Sequence, residues 1–242
     1  MITSKAFILE NNFNSITRYL HSFRFRIVRH YLDRLQKEIG DRQIVLVDVG
    51  CGQGGLYEVL KETHNIRYYG IDLHDELAPK GQEIYKDNPN VTIIHNDATA
   101  EGLIEECNPD IVVALESMEH IPEHAVVRIV ERIGQVKSLK LFIASVPVEI
   151  GPALWIKNIG SFVMRYIRHK EYSWRETFWA GLYQLDKLPR HGVKHKGFDW
   201  RWLAQTIRHN LKIVKTHKSP FDWVPAAFAP SILFVAKPDK QD

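Results

Sequence analysis

The stretch Val47-Asp48-Val49-Gly50-Cys51-Gly52-Gln53-Gly54-Gly55 decides the fold. Residues 43–49 form a run rich in β-branched side chains, suited to a central strand buried on both faces. The glycines after it permit a sharp turn into a helix over 55–62, with Gly50, Gly52 and Gly55 in GxGxxG spacing. Strand, glycine turn and helix make the opening unit of a parallel α/β sheet, whose ligands bind at the carboxyl ends of the strands.

Outward from this unit, strands are predicted at 67–71, 91–94, 110–115 and 139–146, separated by helices at 74–87, 100–107 and 123–135. Before it, Phe13, Ile16, Tyr19, Leu20, Phe23, Ile27, Tyr31 and Leu35 recur at helical spacing, giving one or two amphipathic helices that end near Gly40. After the fifth strand come about forty-five residues rich in aromatic and basic groups (149–195), then a helix at 199–210. Strands at 211–216 and 231–236 follow, with a connection too short for a crossover helix, so they should pair antiparallel at the sheet edge. The expected fold class is a doubly wound α/β fold: a seven-stranded, mostly parallel sheet with an antiparallel last strand, N-terminal helices and a helical insertion after strand five.

Composition narrows the class. With 242 residues and 45% hydrophobic content the chain can bury a core, which excludes disorder and fibrous repeats. Two cysteines, Cys51 and Cys107, make no disulfide framework, so a reducing, cytoplasmic setting is expected. No run approaches the roughly 20 apolar residues of a spanning helix. The net charge of +3 hides a division: residues 44–150 carry eight Lys/Arg against eighteen Asp/Glu, and residues 151–220 carry fourteen against four. An acidic body is followed by a basic flap that an anionic partner would meet first.

From the residues alone the glycine loop serves any adenosine cofactor, because Asp72 at the tip of strand two suits a ribose diol in NAD and in S-adenosylmethionine alike. Asp48 favours a cationic ligand, since a carboxylate there suits an ammonium and repels a pyrophosphate. In Asn96-Asp97-Ala98 a carboxylate can accept from an adenine amino group while the next backbone N–H donates to the ring. With the edge hairpin, these residues make the chain resemble the class I S-adenosylmethionine-dependent methyltransferases over residues 43–147 and 196–237. The resemblance implies Asp48, Gly50 and Cys51 near the methionine end, Gly52 and Gly54 in the loop, and Asp72 on the ribose. It further implies Leu73 against the adenine, Asp97 and Ala98 at its edge, and Leu115 lining the cofactor. It divides the chain into an N-terminal helical extension (1–42) and a methyltransferase domain (43–242) carrying a lid or substrate-recognition insertion (149–195). A dehydrogenase using NAD, and a non-catalytic RNA- or membrane-binding module, are the alternatives.

Strand four runs into Glu116-Ser117-Met118-Glu119-His120-Ile121-Pro122. If Glu116 opens a helix, positions i, i+3 and i+4 share a face, giving two carboxylates and an imidazole suited to Mg, Mn or Zn. This segment, with His195-Lys196-Gly197-Phe198-Asp199-Trp200 downstream, resembles the small-RNA 3′-terminal 2′-O-methyltransferases, apart from the extra Gly197 and Ser145-Val146-Pro147 in place of their Thr-Pro-Asn. The first part also resembles ubiquinone-type O-methyltransferases. The implied metal ligands are Glu116, Glu119, His120 and His195, and without metal His120 or His195 is the candidate general base. In the flap, Trp155, Ile156, Ile159, Phe162, Val163, Tyr166 and Ile167 mark an amphipathic helix, and Tyr172, Trp174, Phe178 and Trp179 lie among basic groups. Residues 155–184 are therefore read as a lid, as a peripheral membrane contact or as a platform for RNA bases. The expected substrate is a small molecule, a sugar or a lipid-linked compound, with RNA as the alternative.

Overall fold

The computed structural model describes residues 15–163, 172–188 and 196–239. Seven strands form one sheet: β1 (Ile44–Val49), β2 (Ile66–Asp72), β3 (Val91–His95), β4 (Ile111–Leu115), β5 (Leu141–Pro147), β6 (Leu211–Lys218) and β7 (Ser231–Pro238). Their order is β3-β2-β1-β4-β5-β7-β6, with β7 antiparallel to both β5 and β6 and the other pairings parallel. A dinucleotide fold continues past its fifth strand with a parallel sixth. Here β7 inserts between β5 and β6 instead, with a register shift between Ile213 and Lys215.

The helices are α1 (Ser15–Ile39), α2 (Gly55–Leu60), α3 (Leu77–Tyr85), α4 (Glu123–Gln135), α5 (Pro152–Val163), α6 (Trp174–Gly181) and α7 (Trp200–Asn210). Successive strand side chains point to opposite faces, so β1 supplies both cores. Val47 and Val49 join Val126, Ile129 and Ile133 of α4 and Leu203 and Ile207 of α7. Ile44 and Leu46 join Val28, Leu32 and Leu35 of α1 and Leu56 and Leu60 of α2. Each such apolar side chain contributes about 1.5–3 kcal/mol on burial.

The N-terminal periodicity is realised as one 25-residue helix, closed at Gly40 with φ 70°. It crosses the sheet from Arg24, which pairs with Glu116 beyond β4, to Glu38, 3.5 Å from Lys140 before β5. The helix expected at 100–107 is a series of turns, because Gly102 (φ 76°) and Asn108 (φ 48°) take left-handed conformations that interrupt a helix. In the flap the long amphipathic helix is described only as far as Val163, and the expected positions Tyr166 and Ile167 lie outside the described residues. Among the described residues no helix is long and apolar enough to cross a membrane.

Candidate active site

The site is built at the carboxyl ends of β1, β2, β3 and β4. The loop after β1 is held by backbone hydrogen bonds: the N–H of Gly50 donates to Ile71 of β2 (2.8 Å) and that of Gly54 to Cys51 within the loop (2.9 Å). Gly50 has φ 75°, and a Cβ there would stand 2.3 Å from Ser117 Cβ. The Ser117 hydroxyl donates to the Val49 carbonyl at 2.8 Å, so the ends of β1 and β4 abut with no room for a side chain. At Gly52 the nearest atom to such a Cβ is Leu77 Cδ1 at 3.9 Å, so this part of the loop faces open space.

Asp72 closes the loop from the tip of β2. One carboxylate oxygen accepts the Gly52 N–H (2.7 Å) and the other the His74 N–H (2.8 Å). Leu73 follows with 62% of its surface exposed, a large apolar side chain held in the open beside the acid. The Asn96 N–H donates to the Asp72 carbonyl (3.2 Å), which brings the end of β3 alongside. Exposed Asp97 accepts the Thr99 N–H at 2.8 Å in an Asx turn, and Ala98 is buried beneath it. Leu115, partly buried, packs against the α1 side of the sheet.

Asp48 lies below the crevice, only 4% exposed, and its Oδ2 accepts the Tyr68 hydroxyl at 2.6 Å. Burial raises its pKa to about 7; the Tyr68 hydrogen bond and the Arg24 charge oppose the rise, and Asp72 adds to it. Asp48 thus sits behind the loop, where an expected ligand ammonium would feel its charge without lining contact. The Cys51 thiol is pushed far up by burial and by the neighbouring acids Asp48 and Asp72, which disfavours the thiolate.

The Glu116–His120 segment departs from its expected geometry. Glu116 has φ 52°, and only Met118–His120 form a short 3₁₀ turn, so no helical face begins at Glu116. Glu116 pairs with Arg24, Glu119 is fully buried, and His120 is exposed. Burial, together with Glu116 and Glu149, raises the Glu119 pKa to about 8, against the pull of its own backbone and of Arg24. Asp199, in the downstream segment that carries the resemblance, caps α7 by accepting the Arg201 N–H (2.9 Å) and clamps the Arg201 guanidinium (2.7 Å). Among the described residues no three His, Cys, Asp or Glu side chains converge as metal ligands. Glu116, Glu119 and His120 thus lie on a bend and a short 3₁₀ turn rather than on one helical face, and His195, the other expected ligand and base, lies outside the described residues.

Several site residues carried no readable signal. Arg24 reaches the rim from a helix some ninety residues before its partner Glu116. Buried Glu149, at the start of the insertion, is met by Lys157 (3.3 Å), whose ammonium also donates to the Val148 carbonyl (2.8 Å). The Tyr172 hydroxyl donates to the Glu149 carbonyl (3.2 Å) and accepts the Gly197 N–H (2.6 Å), tying both ends of the flap together. Tyr172 is thus buried, and Trp179 carries the Lys187 ammonium 3.7 Å above its ring, so two of the four aromatics proposed as base platforms are engaged internally.

A family model described as a methyltransferase domain matches residues 46–138, from β1 to just past α4. Residues 46–138, about two-fifths of the chain, are similar to that domain. That match takes in the glycine loop, Asp72, Asp97 and the Glu116–His120 segment, and it makes the protein an enzyme of the transferase class. No curated protein matches the sequence significantly. Among solved structures, magnesium protoporphyrin IX methyltransferase from Synechocystis PCC 6803, with bound SAH, is 16% identical with TM-score 0.56, covering 98% of this chain and 93% of that one. The methyltransferase domain of the bacterial CtHen1-C is 13% identical with TM-score 0.57, covering 90% and 98%. A S-adenosylmethionine-dependent methyltransferase from Clostridium acetobutylicum ATCC 824 is 11% identical with TM-score 0.57, covering 97% and 96%. At these identities the likeness is one of fold, and the fold is that of the class I methyltransferases.

Proposed function

We propose that this methyltransferase domain binds S-adenosylmethionine along the carboxyl rim and transfers its methyl group to an oxygen of a small-molecule, sugar or lipid-linked acceptor. The observation that carries the reading is Asp72: a carboxylate fixed by two backbone N–H groups beside an open glycine loop, with exposed Leu73 next to it. An acid so held can accept from two adjacent ribose hydroxyls, and Leu73 offers an adenine ring an apolar face. Asp97 stands one strand further along for the adenine amino group. Asp48 feels the charges of Asp72 and Arg24, and Glu116 pairs with Arg24, so the described rim is rich in acids, which favours a cationic cofactor over the pyrophosphate of NAD.

S-adenosylmethionine, when bound, supplies a methyl group already activated by its sulfonium. The protein's part is alignment, which can lower a barrier by about 7–11 kcal/mol. Among the described residues, exposed His120, one turn past β4, is suited by its imidazole to take the acceptor's proton. The test is calorimetric titration with S-adenosylmethionine, S-adenosylhomocysteine and NAD. Asp72→Ala should weaken binding of the first two by about 10- to 100-fold, the worth of a charged hydrogen-bond acceptor. Unchanged affinity in a variant whose melting temperature without ligand is unaltered, or tighter binding of NAD, would overturn the assignment.

A further inference from the structure

Of the twelve large apolar side chains exposed among the described residues, nine come from two short stretches, 156–182 and 221–228. Water-facing apolar groups scattered singly need no explanation, but a concentration of this kind marks a contact surface. On α5, Ile156 and Ile159 are 57% and 54% exposed, opposite the buried Leu154 and Asn158. On α6, Trp174 and Phe178 recur at i and i+4 with 62% and 51% exposed. The two helices are locked together on their inner sides, where the Trp155 indole N–H donates to the Thr177 carbonyl (3.0 Å) and the Asn158 amide to the Thr177 hydroxyl (2.8 Å). Their apolar outer sides are therefore not surplus core.

The second stretch lies next to the first. Residues 226–228 pack against α5, and the Val148 N–H donates to the Pro230 carbonyl at 3.0 Å. In the same loop Phe221 and Trp223 stack in parallel, 5.8 Å between centroids and 7° between planes, with Trp223 78% exposed. Both stretches follow the carboxyl end of β5 or face it across β7, so they border the rim that holds the candidate site.

We infer that this rim docks on an anionic lipid bilayer, with the tips of α5, α6 and the 221–228 loop entering the interface. Charge selects this occupant. Residues 151–220 hold fourteen Lys/Arg against four Asp/Glu, an excess that an anionic leaflet attracts. Tryptophan and aliphatic tips beside basic groups are the composition of an interfacial contact, the rings sitting at headgroup level and the cations on the phosphates. The docking does not depend on the methyl-transfer reading.

The experiment is co-sedimentation of the full chain with extruded vesicles of phosphatidylcholine alone and of phosphatidylcholine mixed with phosphatidylglycerol. Binding is expected to the mixed vesicles only, and it should weaken as salt rises. Ile159→Asp and Trp223→Asp, both at exposed positions, should each lower the partition coefficient by at least about tenfold while leaving the melting temperature and cofactor affinity unchanged. No vesicle binding by the wild type, binding that both variants retain in full, or a dimer in light scattering that the same substitutions dissolve would overturn the inference. Cofactor titration on the same preparations keeps the two proposals apart, since its failure would remove the methyl-transfer reading and leave the vesicle result standing.

Discussion

Gly50→Ala is the most direct probe of how the two halves of the crevice are joined. The new Cβ would lie 2.3 Å from Ser117 Cβ, whereas carbon atoms in contact settle at about 3.5–4.0 Å. One loop must then retreat by more than about 1 Å, and overpacking of this kind costs about 1–3 kcal/mol. Alanine at φ 75° adds about 1–2 kcal/mol of left-handed strain. If the retreat also breaks the Ser117 hydroxyl bond to the Val49 carbonyl, a buried acceptor loses its partner at about 1–3 kcal/mol. The expected total is about 3–8 kcal/mol, a large part of a typical domain's 5–15 kcal/mol. Urea denaturation measures it, and a double-mutant cycle with Ser117→Gly isolates the collision. Removing the serine side chain should recover at least about 1.5 kcal/mol of the Gly50→Ala loss. A loss below about 1 kcal/mol, or strict additivity in the double variant, would refute the claim that these loops abut.

Two further predictions concern buried acids. Glu119 holds its proton in the folded state up to about pH 8 against an ordinary value of 4.5, so the fold binds more protons than the unfolded chain between those values and loses stability as pH rises through them. Glu119→Gln mimics the protonated acid and should flatten that decline, gaining relative to wild type at pH 8 and matching it near pH 5; equal slopes in denaturation at the two pH values would count against it. Tyr68→Phe removes the hydroxyl that favours ionised Asp48 and lifts a pKa already near 7, so its cost should grow with pH, reaching about 1.5–3 kcal/mol where the carboxylate is ionised. A cost independent of pH would show that the hydrogen bond does not discriminate between the two forms of Asp48.

The sheet was readable because its strands are short apolar runs separated by helical patterns, and β1, β4 and β5 bury nearly every side chain. The edge hairpin was readable from loop length alone, yet its insertion of β7 beside β5 is a tertiary choice that no local pattern encodes. Asp72, Leu73 and Asp97 stand at strand tips, where position in the sequence fixes position on the rim. The helical face expected from Glu116 is not formed, because that residue takes φ 52° and its side chain pairs with Arg24 of α1. Gly102 undid the helix at 100–107 in the same way, through a backbone conformation that composition does not announce. Arg24 and Glu149 escaped notice, and Tyr172 was read only as an aromatic of the flap, because their partners are set by packing between elements far apart in the chain.

The position of β7 also orders the assembly of the protein as it is synthesised. β6 leaves the ribosome earlier, but its neighbour in the sheet is β7, so it has nothing to pair with until the C-terminal segment emerges. Until then β5 presents an open edge, a site where a nascent chain can capture a wrong partner. Loss of residues 231–238 would accordingly detach two strands rather than one, and early termination within that short segment should give insoluble product rather than a trimmed enzyme.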